Sequence, residues 1–398
     1  MLFYVQQVNK EKASGLHQVV LDFATSQDHV RFARTLNARS TLDGLAQNSS
    51  PSMIRFSYDP VGYRSFREGS WYNIDPRAFD GAEYVPADVN AAGSLFLGAE
   101  IKNVPWDNVS RLKNLSSPQI AKVSTAPIQF LTNPDTTGTI TLTVVECGHA
   151  NWNEVLTPSD RIIYDVGASR LFTKAQVRAI VESRKISTET RPICLFISHW
   201  DIDHYLALLE FTPLELAKLR IVVVPSQVPN TATFQRVSRL LASNNVTLTA
   251  IPPATRAPNS SRAIVLAQHW RQGAFTLFRA TPGRARNQTG IVLAVQGANQ
   301  VALLTGDHHY DKVLSAATDV PTFRKSPCVL VTPHHGGAAG EVSAVGWKSF
   351  FSKLTTPISC GVNTYGHPID KVETALVSMQ GGTELWRTDQ KGTWTTTL

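Results

Sequence analysis

Between Leu216 and Gly306 the chain has no aspartate or glutamate, yet Lys218, Arg220, Arg236, Arg239, Arg256, Arg262, Arg271, Arg279, Arg284 and Arg286 all fall there. The formal net charge is +7, so the rest of the chain sums to −3, the difference between +7 and the block's +10. Such a block favours a polyanionic partner if its side chains share a face, and nothing in particular if they scatter over several. Cysteine is scarce. Cys147, Cys194, Cys328 and Cys360 each adjoin an apolar, strand-like run, and none has CxxC spacing. This favours buried reduced thiols over a zinc knuckle or a disulfide framework, and fits a reducing compartment. No apolar stretch approaches the roughly 18–20 residues that span a bilayer. The start, Met1-Leu2-Phe3-Tyr4-Val5 followed by Gln6-Gln7, has no basic region before an apolar one, so no secretory signal and a cytoplasmic location are expected. Repeats and low-complexity tracts are absent. What remains is 398 residues, 42% hydrophobic and 17% charged, enough to bury a sizeable core in two domains or one large one.

Among these residues one stretch stands apart. The apolar run Ile193-Cys194-Leu195-Phe196-Ile197-Ser198 reads as an interior strand and ends in His199-Trp200-Asp201-Ile202-Asp203-His204. Ionisable groups beside a buried strand are costly unless paired or metal-bound. Two imidazoles and two carboxylates in six residues point to a divalent metal, the alternative being a pair of His–Asp hydrogen bonds at a strand end.

The spacing HxDxDH resembles the HxHxDH signature of the metallo-β-lactamase superfamily, in the form found in its ComEC-like branch of DNA-uptake hydrolases. Further stretches follow in the family's order. Leu303-Leu304-Thr305-Gly306-Asp307 resembles LLTGD, Val331-Thr332-Pro333-His334-His335-Gly336-Gly337 resembles VPHHGS, Asn363-Thr364-Tyr365-Gly366-His367-Pro368 resembles NxYGHP, and Arg387-Thr388-Asp389-Gln390-Lys391-Gly392 resembles RTDxxG. Upstream, Gly148-His149-Ala150-Asn151 and Tyr164-Asp165-Val166-Gly167 sit where the family has a GQGDA or GHGN turn and IDxG. Seven landmarks in one order are specific where any one is weak. Three departures stand out: Asn151 for an acidic residue, Gly337 for Ser, and Tyr205-Leu206-Ala207-Leu208 where two glycines are usual.

The resemblance implies an α/β (α+β) fold, a metallo-β-lactamase-like αββα sandwich, over residues 136–398. Residues 1–135 are left as an N-terminal extension or small extra domain. It implies that His199 and Asp201 hold a first metal, that Asp203, His204 and His334 hold a second, and that Asp307 bridges both. Two divalent ions, Mn2+ or Zn2+ with Mg2+ as a third choice, would activate a water for hydrolysis. Asp201 in place of an imidazole makes the first position harder and favours Mn2+. Strand alternation turns the rings of His334 and His335 opposite ways, with His334 towards the metals. His367 binds the scissile phosphate or protonates the leaving group, unless it only stabilises its turn. Asp203 and His367 are thus the catalytic candidates. Asp165 orients a ligand imidazole. Asp389 does likewise or caps a loop. His269 is either a third ligand for the first metal or a packing residue. His308 and His309 begin a helix or face solvent. Arg284 and Arg286 are candidates for substrate binding.

Strand and helix patterns alternate after the turn Asn133-Pro134-Asp135-Thr136-Thr137-Gly138, where the boundary is expected. Strands are predicted at 139–145, 161–164, 193–198, 221–224, 275–278, 291–295, 301–304, 328–331 and 358–362. Helices are predicted within 14–39 and at 173–183, 203–211, 212–218, 233–243 and 371–378. The leading functional expectation is a soluble metal-dependent phosphodiesterase or nuclease with a nucleic-acid or other phosphodiester substrate. The alternatives are a hydrolase of a small ester, lactone or cyclic nucleotide, and a metal-binding scaffold of a defence or toxin system whose N-terminal region recruits a protein partner.

Overall fold

The computed structural model describes residues 1–10, 15–35, 53–58, 60, 65–79, 98–100, 109–112, 138–256, 263–283, 286–363 and 366–398. The chain forms two compact units. One comprises Met1–Gln119, Arg170–Ala179 and Val228–Ser243; the other comprises Ile120–Ser169, Ile180–Gln227 and Asn244–Leu398. The turn chosen as a boundary lies, up to Thr137, outside the described residues.

The first unit is a sheet of β1 (Leu2–Lys10), β2 (His17–Phe23), β3 (Met53–Tyr58), β4 (Trp71–Ile74), β5 (Gly98–Glu100) and β6 (Val109–Arg111), in the order β5-β3-β2-β1-β4-β6. Every second residue of a strand faces one side. Phe3 and Val5, Val19, Leu21 and Phe23, and Ile54, Phe56 and Tyr58 bury that side with Phe32 of helix Ser26–Thr35 and Ala232 of helix Ala232–Ser243. The helix foreseen within 14–39 is thus preceded by a strand. Asp22, on the opposite side of β2 from that core, is fully buried. It accepts from Gln6 Nε2 at 3.3 Å and from Thr231 and Thr233.

The second unit holds two sheets. One is built from β7 (Thr141–Val144), β8 (Trp152–Leu156), β9 (Arg161–Val166), β10 (Ile193–Phe196), β11 (Leu219–Pro225) and β12 (Thr247–Ile251), closed on β7 by the last strand of the chain, Trp394–Thr397. The other runs β13 (Leu266–Gln272), β14 (Phe275–Ala280), β15 (Ile291–Gln296), β16 (Val301–Leu304), β17 (Pro327–Leu330) and β18 (Lys353–Thr355), each beside the next. The C-terminal strand Trp394–Thr397 is β19. The sheets pack face to face. Leu142, Val144, Val155, Ile162, Tyr164, Cys194, Phe196 and Val223 of the first meet Phe275, Leu277, Leu293, Val295, Ala302, Leu304 and Val329 of the second. The far side of the second sheet is covered by helices Tyr310–Thr318, Ala344–Phe350 and Asp370–Met379, through Tyr310, Val313, Trp347, Val372 and Leu376. On the first sheet, β9 carries two 3-10 turns, Ile202–His204 and Leu206–Glu210. This is the layered α/β sandwich expected.

Two predicted elements differ. The helix expected over 203–211 is those two 3-10 turns, because an extended Asp201 and an irregular Tyr205 interrupt the α pattern. The strand expected at 358–362 reduces to a single bridge between Ile358 and Arg387. All four cysteines are free and buried; burial pushes the Cys194 and Cys360 thiols up to about 12. Among the described residues no helix is long and apolar enough to cross a membrane. Strand pairs β9/β10 and β16/β17 are parallel. Their carboxyl ends therefore open on one edge of the sandwich and bring Asp165, residues 198–204, Asp307 and residues 333–337 within reach of each other.

Candidate metal centre

Each side chain of the cluster is fixed from its own strand end. Asp165, which closes β9 in a left-handed conformation (φ 62°), accepts from Ser198 N at 2.6 Å, from Asn151 Nδ2 at 2.9 Å and from His204 Nδ1 at 2.8 Å. Asn151, where the family has an acid, is thus a donor to that carboxylate. Gly167 lets this loop close. A Cβ there would lie 1.8 Å from the Asp203 carbonyl, which accepts from Asn151 N at 3.0 Å. Ser198 Oγ lies 3.0 Å from His199 Nδ1, and His335 Nδ1 donates to the Ser359 carbonyl at 2.8 Å. Three imidazoles, His199, His204 and His335, therefore have Nδ1 engaged. Their Nε2 atoms are buried without a hydrogen bond, as is Asp307 Oδ1.

These atoms converge. His204 Nε2 is 3.2 Å from Asp307 Oδ1, His335 Nε2 is 3.4 Å from Asp203 Oδ2 and 3.9 Å from Asp307 Oδ1, and His199 Nε2 is 3.7 Å from Asp307 Oδ2. Two triads, His199–His204–Asp307 and Asp203–His204–His335, each bring their donor atoms within 4.8 Å of one another. Buried, unbonded acceptors aimed at each other are costly without a cation between them. The electrostatics agree. Burial works against protonation of His204, but the carboxylates of Asp307 and Asp165 drive its pKa well above the usual value. Burial likewise opposes charge on His334, and Asp307 raises it to about 9. In both carboxylates burial, the largest single influence, opposes ionisation and is outweighed by the neighbouring imidazoles taken together: His335 and His204 for Asp203, and His334 and His204 for Asp307. Both fall below the ordinary range. The donor set, nitrogen and oxygen with neighbours that lock each ring, fits a divalent ion.

The alternation argument for the histidine doublet does not apply, because the doublet is not a strand. His334 (φ 52°, ψ 41°) and His335 (φ 53°, ψ 27°) are both left-handed, within a turn over Pro333–Gly336. Both rings reach the cluster. His335 faces Asp203 and His204, while His334 Nδ1 makes a very short contact with Asp307 Oδ2. Asn287 Nδ2, a partner that no sequence motif flagged, donates to the same oxygen at 3.3 Å.

Asp201 Oδ2 lies 3.3 Å from His199 Nε2, and its other oxygen forms an ion pair with Arg286 Nε. Burial opposes its ionisation, and the Arg286 charge followed by that of His199 holds the carboxyl below its usual range. Arg284 lies outside the described residues. The His367 ring lies 5.0 Å from that of His334 and 5.7 Å from that of His149. Its approach explains Gly337: a Cβ there would stand 2.3 Å from His367 Cε1 and 2.6 Å from His334 Cδ2.

Other candidates lie apart. His269 is on β13, an outer strand of the second sheet, and belongs to neither triad; burial and the Arg279 charge lower its pKa. Asp389 is bound by Arg387 at 2.8 Å and by Cys360 Sγ at 3.2 Å, not by a cluster imidazole. His308 is buried and not solvent-facing, and its pKa falls to about 3 chiefly through burial; His309 precedes helix Tyr310–Thr318 as its cap residue. The described members of the basic block are used in different ways. Lys218, Arg256 and Arg279 bond backbone carbonyls, Arg236 and Arg286 are buried, and the exposed Arg220, Arg239 and Arg271 sit on β11, on helix Ala232–Ser243 and on β13.

No family model matches the chain, and no curated protein matches it. Solved structures resemble it at low identity. The metallo-β-lactamase fold protein YhfI from Bacillus subtilis is 11% identical with a TM-score of 0.40, covering 66% of this chain and 100% of its own. Zn2+-bound PqqB from Methylobacterium extorquens is 10% identical at 0.37, covering 65% and 100%. The short form of human tRNase Z is 12% identical at 0.33, covering 56% and 93%. Likenesses of this degree do not assign an activity.

Proposed function

We propose that this protein is a metal-dependent hydrolase acting on a phosphodiester. The observation that carries the reading is the set of buried, unbonded donors His199 Nε2, His204 Nε2, His335 Nε2 and Asp307 Oδ1, with Asp203 beside them. His199, His204, Asp203, Asp307 and His335 would hold the ion. His334, engaged with Asp307, and Asp201, engaged with Arg286, stand at the rim. When bound, a divalent ion supplies Lewis acidity, polarising a phosphoryl oxygen and lowering the pKa of water.

The chain's own residues do the rest. Asp165 and Ser198 hold the His204 and His199 rings with Nε2 forward, and the Ser359 carbonyl does so for His335. Fixed rings keep the donors at one geometry through the reaction and avoid reorganisation when charge develops. His367, whose ring lies 5.0 Å from that of His334, would offer a ring nitrogen to a substrate oxygen. The resemblance to the ComEC-like branch rests on Asp201; the preference for Mn2+ needed that carboxylate as a ligand and lapses where Arg286 pairs with it. A second reading, hydrolysis of a small anionic ester or lactone, is favoured by the fate of the basic block. Most of its described members serve the protein's own backbone or interior and so are not offered to a nucleic-acid strand.

Metal content by elemental mass spectrometry, with hydrolysis of bis(p-nitrophenyl) phosphate and of single- and double-stranded DNA and RNA under Mn2+ or Zn2+, tests the proposal. Asp307→Ala and Asp203→Ala should each lose the ion and all turnover. Normal activity in Asp307→Ala overturns the reading. Bound metal with ester or lactone cleavage but no phosphodiester cleavage selects the second.

A further inference from the structure

We infer that this centre holds one divalent ion and that the guanidinium of Arg286, seated on Asp201, supplies the second positive charge where another metal would lie. The inference deepens the metal-dependent reading and rests on it.

Three observations carry it. First, the two donor triads share His204. Its Nδ1 is committed to Asp165 at 2.8 Å, so only Nε2 remains, and one nitrogen lone pair serves one ion. The triads therefore describe one position seen from two sides, not two positions. Second, the two oxygens of Asp307 are used differently. Oδ2 is taken by His334 Nδ1 and by Asn287 Nδ2 at 3.3 Å, whereas Oδ1 is buried without a hydrogen bond and faces His204 and His335. A carboxylate bridging two ions through its separate oxygens would need both. Third, Asp201 is in neither triad and is bound by Arg286, whose side chain is 8% exposed.

The arginine's place is built into the fold. Arg286 opens the 3-10 turn Arg286–Gln288, whose first carbonyl accepts from Thr289 N at 3.0 Å and Thr289 Oγ1 at 3.1 Å. The turn is then pinned to the strand end that bears His199. Ile291 N donates to the Ser198 carbonyl at 3.0 Å, and a Cβ on Gly290 would lie 2.2 Å from that oxygen. A planar, permanently charged guanidinium fits a carboxylate in a buried setting better than a strongly hydrated ammonium. It also meets no pH at which it yields the place to a metal.

The test is stoichiometry and not activity. The full chain, stripped with chelator and titrated with Mn2+ or Zn2+, should take up one ion by calorimetry and elemental analysis. Bound Mn2+ should give the paramagnetic resonance of an isolated ion. Arg286→Gln, which frees Asp201, should admit a second, weaker ion and show exchange coupling; Arg286→Lys should stay nearer one. Two ions in the unaltered chain, with the same affinities in Arg286→Gln, overturn the inference and leave the hydrolase reading intact. No ion at all removes both. If Arg286→Gln fails to fold by circular dichroism, Asp201→Asn decides. Retention of one ion, with affinity within about tenfold, marks Asp201 as the arginine's anchor, and loss of the ion makes it a ligand and sinks the inference.

Discussion

At the scale of single residues, the centre is made by side chains that hold other side chains. Asp165→Asn keeps the shape but weakens the hold on His204, and metal affinity should fall about 10–100-fold by calorimetry while the fold survives. Gly337→Ser restores the residue the resembling motif carries, yet its Cβ would stand 2.3 Å from His367 Cε1. Displacing that ring should lower kcat by tenfold or more with the metal content unchanged. Unchanged kcat would show that His367 takes no part. Much of this was legible in the sequence. His199, Asp201, Asp203 and His204 lie within six residues, so short spacing announced them. The pairing of Asp201 with Arg286 and the Asn287 contact to Asp307 join distant positions, and no local pattern encodes them. The orientation of His334 and His335 depends on left-handed backbone that only the following glycines hinted at.

At the scale of elements, strands buried on both faces read clearly as apolar runs, as for β10, β15 and β16, and those predictions stand. Strands with mixed faces did not. β13 is LAQHWRQ and β19 is WTTT, an outer and an edge-pairing strand whose polar side chains hide the period. β8 was missed for another reason: it carries a buried charge. Glu154, 1% exposed, accepts from Arg161 at 2.9 Å and from Arg184 at 2.7 Å, and from Trp152 Nε1 at 3.0 Å. Burial resists its ionisation, and Arg184 then Arg161 bring its pKa below the usual value. Glu154→Ala removes the acid that both guanidinium groups share, leaving Arg184 without it and Arg161 with Glu189 at 3.4 Å. It should destabilise the sandwich by about 3–5 kcal/mol, read as a drop in the denaturation midpoint. A change below about 1 kcal/mol would show that the arginines relax to solvent instead.

At the scale of the whole molecule, two buried groups of the first unit oppose each other in pH. Burial lifts Asp22 to about 7, against hydrogen bonds from Thr231, Thr233 and Gln6, whereas burial and then Arg236 lower His29 to about 3. For Asp22 the folded state holds the extra proton between the ordinary 3.8 and about 7, so its contribution to stability falls as pH rises through that window. For His29 the unfolded state holds the extra proton between about 3 and the ordinary 6.5, so its term gains stability as pH rises. The slopes largely cancel. Asp22→Asn should therefore leave a first unit that gains stability as pH rises from about 4 to 6.5, and His29→Phe one that loses it over the same window; parallel curves for both variants would remove these groups as the cause. Chelation should lower the melting temperature of the second unit, since ligand at about a hundred times its Kd stabilises by about 2.7 kcal/mol. The segments Arg170–Ala179 and Val228–Ser243 belong to the first unit although strands of the second surround them in the chain. The amino-terminal part thus leaves the ribosome first but cannot close at once: its helix Ala232–Ser243 and the two threonines that bond Asp22 emerge only after β7 to β11 have been made.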